Sequence, residues 1–166
     1  MKLRLFYFML LSGLLLALPL MSATAYSQSK DAITESDVLA IVNSVDRASR
    51  KGNVAAIVTP LTSDVKIKVT ISTPNTREQV FTFTKEQYAY HTRRGMRLRL
   101  AYQLARKNTR VKIYDEGKTA MVTGDLYETL TVQQGTLRAV TSEVAMLSLR
   151  DGKIVVTSLE GKTRFY

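Results

Sequence analysis

Residues 119–149 of the chain read TAMVTGDLYETLTVQQGTLRAVTSEVAMLSL. Valine, threonine, leucine and tyrosine are frequent in this segment, and Gln133-Gln134-Gly135 is typical of a turn between two strands. We predict a long strand over 119–132 and another over 136–149, paired as an antiparallel hairpin. Strands of this length need curvature, and Gly124 is a candidate for the bulge or bend that supplies it.

Strand patterns continue on both sides of this hairpin. Residues 111–114 and 153–159 are also rich in β-branched residues, and turns at 115–118 and 151–152 separate them from it. Because short turns join consecutive strands, we predict that all four run as an antiparallel meander.

Nearer the N-terminus, an alternating pattern begins at Val65. Apolar residues at 65, 67, 69 and 71 alternate with lysine and threonine, which is typical of a half-buried strand. A turn at 72–76 then leads to a second predicted strand over 79–83. The two strands should form a hairpin.

A helix is predicted from Thr34 to Arg50. Thr34 and Asp37 match a capping box, in which each side chain bonds the other residue's backbone N–H. Apolar residues at 38, 41, 42, 45 and 48 form one stripe. Asn43, Asp46, Arg47 and Arg50 are predicted to lie opposite that stripe. Gly52 is placed to end the helix.

Two further helices are predicted. Asn53 can cap a short helix over 54–58, which Pro60 stops. Thr84 and Gln87 match a second capping box, so a third helix begins near Lys85.

The end of that third helix is open to two interpretations. Residues 96–107 contain leucine, arginine and glutamine, which favour helix, but apolar residues at 96, 98, 100, 102 and 104 alternate with others as in a strand. The alternation fits better, so we predict helix to about Arg94 and extended chain after Gly95.

The N-terminus has the pattern of a secretory signal peptide. Lys2 and Arg4 precede a short apolar run over 6–21, and Ser22-Ala23-Thr24-Ala25 supplies the small residues of a cleavage site. The run is too short for a comfortable membrane span, and no second apolar segment follows. We predict cleavage after Ala25, a flexible leader over 26–32 and a single domain over 33–166.

Composition is consistent with an exported, basic protein. The formal net charge of the chain is +10, and cysteine is absent, which excludes disulfides and thiolate metal sites. Export without disulfides favours the bacterial periplasm over a small secreted eukaryotic domain.

These elements predict an α+β fold, with N-terminal helices packed on a strongly curved, mostly antiparallel sheet. Their order resembles that of the NTF2-like superfamily, which includes SnoaL-like proteins and folds as a cone. The matching features lie within residues 33–160: the helix over 34–50, the Gly52-Asn53 opening of a short helix, Asp64-Val65, the Thr84–Tyr88 helix start, the turn at 115–118 and the last hairpin around 150–154.

The resemblance implies a cone that in enzymes holds a polar pair or triad, with Asp or His as base and Tyr or Asp as hydrogen-bond donor. Many members only bind or dimerise, so the fold leaves the function open. The residues of this chain that could form such a site are Tyr88, Tyr102, Asp125, Glu128 and Glu143. Outward-facing carboxylates that pair with cations are the alternative interpretation.

The chain has one histidine, His91. One histidine excludes a His-His-carboxylate metal site and a His-paired dehydratase, and we expect neither a metal nor a cofactor. His91 could act alone as a general base. We expect instead a surface or rim histidine among arginines.

Cations are concentrated between Lys85 and Lys112, where Glu86 is the only acidic residue. The residues considered for binding a ligand or partner are Tyr88, His91, Arg93, Arg94, Arg97 and Arg99. Export makes nucleic acid an unlikely partner, and leaves anionic lipid headgroups, acidic glycans or an acidic protein. A solvated basic face that aids solubility is the alternative.

We therefore expect an exported, non-catalytic domain that binds a protein or a small apolar or anionic ligand, and that forms a homodimer. A small-molecule isomerase or dehydratase is one alternative. It requires a pocket that holds at least two of the five site candidates with a perturbed carboxylate. A basic surface module for anionic envelope material is the other.

Overall fold

A computed structural model describes residues 30–73 and 76–166. The helices are α1 (Glu35–Lys51), α2 (Val54–Val58) and α3 (Lys85–Leu98). The strands are β1 (Leu61–Thr73), β2 (Thr76–Phe83), β3 (Ala101–Tyr114), β4 (Thr119–Val132), β5 (Gly135–Arg150) and β6 (Lys153–Phe165). The predicted signal peptide and residues 26–29 of the predicted leader lie outside the described residues.

The strands form one six-stranded sheet in the order β2-β1-β6-β5-β4-β3. Neighbours are antiparallel except β1 and β6, which are parallel. Strands β3 to β6 follow one another as the predicted meander, and β1 and β2 form the predicted hairpin. The curled sheet with helices packed on it confirms the predicted α+β class.

Both predicted capping boxes are present. The Thr34 hydroxyl accepts a hydrogen bond from the Asp37 backbone N–H, and the Asp37 carboxylate accepts one from the Thr34 backbone N–H. Thr84 and Gln87 make the corresponding two bonds at the start of α3. Gly52 ends α1 with φ of 72°, the left-handed conformation that glycine adopts without strain. These local signals explain why the starts of both longer helices were predictable.

The hydrophobic core lies between α1 and one face of the sheet. Val38 and Val42 of α1 pack with residues of β1, β4, β5 and β6, among which Ile67, Ala120 and Leu147 are almost fully buried. Ile33, just before α1, joins this core, and its backbone N–H bonds the Gly117 carbonyl. This bond ties the chain just before α1 to the turn that precedes β4.

The predicted end of α3 at Arg94 is wrong. The helix continues through Gly95 to Leu98, the backbone becomes extended at Arg99, and strand β3 begins at Ala101. Arginine, methionine and leucine are strong helix formers, and a helix does not need burial of every apolar residue to continue. The alternating pattern holds from Ala101, where Tyr102, Leu104 and Arg106 lie on the same face of β3.

Gly124 is not itself the bulge. Strand β4 pairs without interruption with β5, whereas β3 has one extra residue between Lys107 and Arg110, opposite Gly124. Asn108 in this bulge has φ of 55°. A side chain at Gly124 would lie 3.3 Å from Nη1 of Arg106, so the glycine lets β3 approach closely at its bend.

Candidate functional site

The cone is hollow. A cavity of about 340 Å³ lies between the helices and the inner face of the sheet, and it opens to solvent. This volume is near the lower end of the range of about 300–1,000 Å³ that is usual for small-molecule pockets. The cavity holds four of the five site candidates, Tyr88, Tyr102, Glu128 and Glu143.

One wall of the cavity is a face of α3. Tyr88, Thr92, Gly95, Met96 and Arg99 line it, at helical spacings of three or four residues. Gly95 has no atom within 4 Å of the position that a Cβ would occupy, which leaves this wall open at the centre of the helix.

The opposite wall is the inner face of the sheet. Leu126, Glu128 and Leu130 alternate along β4, and Thr141 and Glu143 do so along β5. Because β4 and β5 pair in register, the carboxylates of both strands enter the same space. Val69, Leu159 and Ile57 add apolar surface.

A hydrogen-bonded chain runs across this wall. The Tyr102 hydroxyl donates to Oε1 of Glu128 at 2.5 Å, and the Thr141 hydroxyl donates to Oε2 at 3.3 Å. The Thr141 and Thr163 hydroxyls are 2.9 Å apart. Burial and the neighbouring Glu128 charge raise the pKa of Tyr102 above its ordinary value, so Tyr102 is a hydrogen-bond donor at neutral pH.

A second polar cluster centres on Arg106. Its guanidinium donates two hydrogen bonds to Asp46, at 2.9 and 2.8 Å, and one to Glu143 at 3.0 Å. The Arg106 side chain is 9% exposed and that of Asp46 is 5% exposed. Burial acts to lower the pKa of Arg106, but the bonds and charges of the two carboxylates outweigh it and raise that pKa.

Two further groups in the cavity, Glu143 and Tyr88, have raised pKa values. Burial raises the pKa of Glu143 above its ordinary value of 4.5, even though Arg106 acts in the opposite direction. Burial, with the charges of Glu143 and Glu128, raises the pKa of Tyr88 to about 12. The cavity therefore combines a carboxyl that resists ionisation with phenols that remain protonated.

Solved structures with the same architecture are known at low sequence identity. A conserved protein from Planctomyces limnophilus superposes with a TM-score of 0.62 at 14% identity, over 78% of this chain and 94% of that one. An NTF2-like protein of unknown function from Pseudomonas putida gives a TM-score of 0.58 at 13% identity, over 77% and 84% of the two chains.

The chain has the NTF2-like fold. A ketosteroid isomerase-like protein from Erwinia carotovora atroseptica is a further structural neighbour, with a TM-score of 0.56 at 15% identity over 76% of this chain and 92% of that one. No protein-family model matches the chain, and no curated protein matches its sequence.

Asp125 does not belong to the cavity of the NTF2-like cone. Its carboxylate accepts hydrogen bonds from Asn108 at 2.8 Å and from the Ser142 hydroxyl at 2.9 Å. These bonds lower the pKa of Asp125, which is half-buried. Asp125 precedes the cavity-lining Leu126 by one residue, so strand alternation directs its side chain to the outer face of the sheet.

The predicted binding residues divide into two groups. Tyr88 and Arg99 line the NTF2-like cavity, whereas Arg93, Arg94 and Arg97 are exposed on α3. His91 is exposed too and contacts the rings of Phe83 and Tyr90, with centroids 5.1 and 5.4 Å away. Its three-residue spacing from Tyr88 does not bring it into the cavity.

Arg99 joins the cavity to the end of α1. Its guanidinium donates to the carbonyls of Ser49, at 2.8 Å, and of Arg50, at 3.4 Å, and lies 4.9 Å from the centre of the Tyr102 ring. Carbonyls at the C-terminus of a helix favour a cation, and the aromatic face does so as well. Arg99 is thus held by the protein itself.

Asp46 and Arg106 were missed as site residues. Asp46 was predicted on the polar face of α1, but it is 4% exposed and bonded to Arg106. It follows Val38 and Val42 at intervals of four, and this spacing places it on the buried face. Arg106 follows Tyr102 and Leu104 at intervals of two, so strand alternation also indicated the inner face.

Two kinds of feature are absent from the described ranges. Residues 30–73 and 76–166 contain no group of three or more histidines and carboxylates that could hold a metal ion. In that same part of the chain, every helix is too short or too polar to cross a membrane.

Proposed function

We propose that the cone binds a small, largely apolar and uncharged molecule that carries one hydrogen-bonding group. The observation that supports this most directly is the hollow cavity, whose leucine, methionine and valine walls meet a small polar cluster. Pockets of this composition bind ligands by burial of apolar surface and orient them with a few polar contacts.

The charges in the cavity favour a neutral ligand. Asp46 and Glu143 share the guanidinium of Arg106, and Glu128 accepts bonds from Tyr102 and Thr141. Arg99 bonds the end of α1. Arg99 and Arg106 are the cations among the described residues that line the cavity, and both are already bonded within the protein, so a ligand anion would compete with those bonds, and a buried unpaired charge is costly.

A fluorescent apolar probe tests this proposal. Neutral N-phenylnaphthylamine should bind, and the anionic anilinonaphthalene sulfonate should bind more weakly. Met96→Trp fills the cavity from α3 and should weaken N-phenylnaphthylamine binding at least tenfold. Tyr90→Trp is the matched control, because Tyr90 lies on the same helix but is exposed. Equal affinities for the two variants, or no binding by the unmodified protein, would contradict the proposal.

Proton transfer is a second candidate function, and the perturbed pKa values of Glu143 and Tyr88 favour it. A carboxyl with a raised pKa is a stronger base when ionised than an ordinary carboxylate, and a phenol that stays protonated can stabilise a developing oxyanion. In this scheme the Glu143 carboxylate takes a proton from the carbon beside a ketone, and Tyr88 donates a hydrogen bond to the ketone oxygen as an enolate forms.

Deuterium exchange distinguishes this enzyme from a binding protein. A panel of small neutral ketones is incubated with the protein in heavy water, and loss of the α-proton signal is followed by NMR. Enzymatic exchange should fall by at least 100-fold in Glu143→Gln, while Asp125→Asn should leave it unchanged. If the protein binds N-phenylnaphthylamine but exchanges the α-proton of no ketone, the binding function is supported and the catalytic function is contradicted.

We also propose export to the periplasm, with cleavage after Ala25. The early cations, the short apolar run and the small residues at 22–25 support this proposal. Mass spectrometry of the protein from its producing cells should give an N-terminus at Tyr26 and a periplasmic location. An intact Met1 in the cytoplasmic fraction would contradict it.

A further inference from the structure

Three exposed leucines are neighbours, in sequence or in strand pairing, of residues that line the cavity. Leu98 is 63% exposed and Leu100 is 68% exposed, and they flank the cavity-lining Arg99. The Leu100 backbone N–H bonds the Thr131 carbonyl at 2.7 Å, which places Leu100 beside the β4–β5 turn. Leu137 in that hairpin pairs with the cavity-lining Leu130 and is 47% exposed. We call Leu98, Leu100 and Leu137 the mouth leucines.

Cations lie directly beside the mouth leucines. Arg93 and Arg97 are four residues apart on α3, and so are Arg94 and Leu98, so that these side chains are neighbours on the helix surface. All three arginines are exposed, and within residues 30–73 and 76–166 no carboxylate forms an ion pair with them. We call them the mouth arginines.

The sequence segments that carry the mouth arginines and the mouth leucines contain no acidic residue. The sequence has no Asp or Glu between Glu86 and Asp115, and none between Glu128 and Glu143. The surface therefore combines exposed leucines with a positive potential. This combination is typical of protein surfaces that insert apolar side chains among anionic lipid headgroups.

We propose that the mouth arginines and mouth leucines dock the cone on an anionic lipid bilayer, with the cavity mouth facing the membrane. The arginines bind lipid phosphates, while the leucines enter the boundary between headgroups and acyl chains. A soluble acidic partner fits less well, because it would leave the leucines in water. Docking does not require an occupied cavity, so it and the binding function can fail independently.

Vesicle co-sedimentation tests the docking surface. The protein is purified as cells process it, and its N-terminus is identified, so that any retained segment is common to all variants. It should bind vesicles of phosphatidylcholine and phosphatidylglycerol, and not those of phosphatidylcholine alone. Because each arginine near an anionic surface contributes about fivefold, Arg93→Gln with Arg94→Gln and Arg97→Gln should lower affinity on the order of 100-fold.

A charge-matched control distinguishes a local surface from net charge. Lys66→Gln with Lys112→Gln and Lys153→Gln removes the same charge from exposed lysines away from the mouth. This variant should bind anionic vesicles within a few-fold of the unmodified protein, since headgroup attraction decays over about 10 Å. Equal losses in both triple variants would overturn the proposal.

The leucines distinguish a bilayer from a soluble polyanion. Leu98→Ser with Leu100→Ser should lower vesicle affinity at least tenfold and leave binding to dextran sulfate unchanged. If the leucine variant binds vesicles as well as the unmodified protein does, the surface is an electrostatic site for polyanions and the bilayer proposal is wrong. All substituted residues are exposed, and circular dichroism checks that each variant is folded.

Discussion

The Tyr102 hydroxyl bonds Oε1 of Glu128 across the β3–β4 pair, inside the cavity. The two residues are diagonal neighbours, because Glu128 pairs with Leu104 and Tyr102 with Leu130. A bond to a carboxylate in a partly buried site is stronger than one between neutral groups. It fixes the orientation of both side chains toward the cavity.

Loss of this hydroxyl should destabilise the fold. Tyr102→Phe removes one of the two donors to Glu128 and should lower the free energy of unfolding by about 1–2 kcal/mol, measured by urea denaturation. Tyr127→Phe is the control. It lies one residue from Glu128 on the other face, its ring contacts Lys107, and among the described residues its hydroxyl has no hydrogen-bond partner. Equal effects of both substitutions would show that the Glu128 bond adds nothing.

Removal of the Arg106 charge should destabilise the fold more than loss of the Tyr102 hydroxyl does. Arg106→Leu leaves the buried Asp46 carboxylate without a partner, and breaking such a pair from one side costs about 3–5 kcal/mol. Arg110→Leu, at an exposed position of the same strand, should change stability by less than about 0.5 kcal/mol. Chemical denaturation of both proteins compares them, and a small effect at Arg106 would mean that Asp46 is solvated.

The pH dependence of stability should reveal the Glu143 carboxyl. Its pKa is raised on folding, so the folded state binds this proton more tightly than the unfolded state does. Its contribution is complete below the ordinary value of 4.5 and is lost as the pH rises through the folded value. The free energy of unfolding of the wild type minus that of Glu143→Gln should therefore fall as the pH rises above 4.5.

Asp125 is the control for the direction of this pH dependence. Its pKa is lowered from 3.8 by bonds from Asn108 and Ser142, so its contribution is present above pH 3.8 and is lost as the pH falls through the folded value. The free energy of unfolding of the wild type minus that of Asp125→Asn should therefore fall as the pH is lowered below 3.8, and it should not fall as the pH rises. If both differences in the free energy of unfolding changed with pH in the same direction, the assignment of Glu143 to the cavity and Asp125 to the outer face would be wrong.

Two glycines should respond oppositely to alanine. Gly95 lies inside α3 with open space around its Cβ position, so Gly95→Ala should stabilise the protein by about 0.5–1 kcal/mol. Gly52 has φ of 72°, and a Cβ there would lie 2.5 Å from Nη2 of Arg99. Gly52→Ala should cost at least about 1 kcal/mol. Thermal melts of both variants compare them, and stabilisation at Gly52 would contradict the described contact with Arg99.

Local chemistry explains which parts of the fold were predictable. The capping residues Thr34 and Thr84, and the turn at Gln133-Gln134-Gly135, act over a few residues, and the sequence displays them directly. The end of α3 was not predictable in the same way, because Met96 and Leu98 fit both helix and strand spacing. Helix propensity prevails there, and no glycine or asparagine directly after Leu98 marks the end of the helix in the sequence.

The site was predictable in part for the same reason. The predicted strands gave Asp125, Glu128 and Glu143 as candidates, but the pairing register that brings Glu128 and Glu143 to one cavity depends on the whole hairpin. Asp46 and Arg106 are far apart in sequence, so their ion pair required the packing of α1 on β3. The homodimer stays a prediction that sedimentation at high protein concentration can test.

The parallel pairing of β1 with β6 joins the first strand of the sheet to the last. Strand β1 therefore has no partner on that side until β6 has been synthesised, and the packing around the core residue Ile67 is incomplete before then. A ribosome-bound chain that lacks β6 would leave edges of both β1 and β5 open to other strands. Premature termination within β6 should thus produce an aggregating product and not a smaller domain.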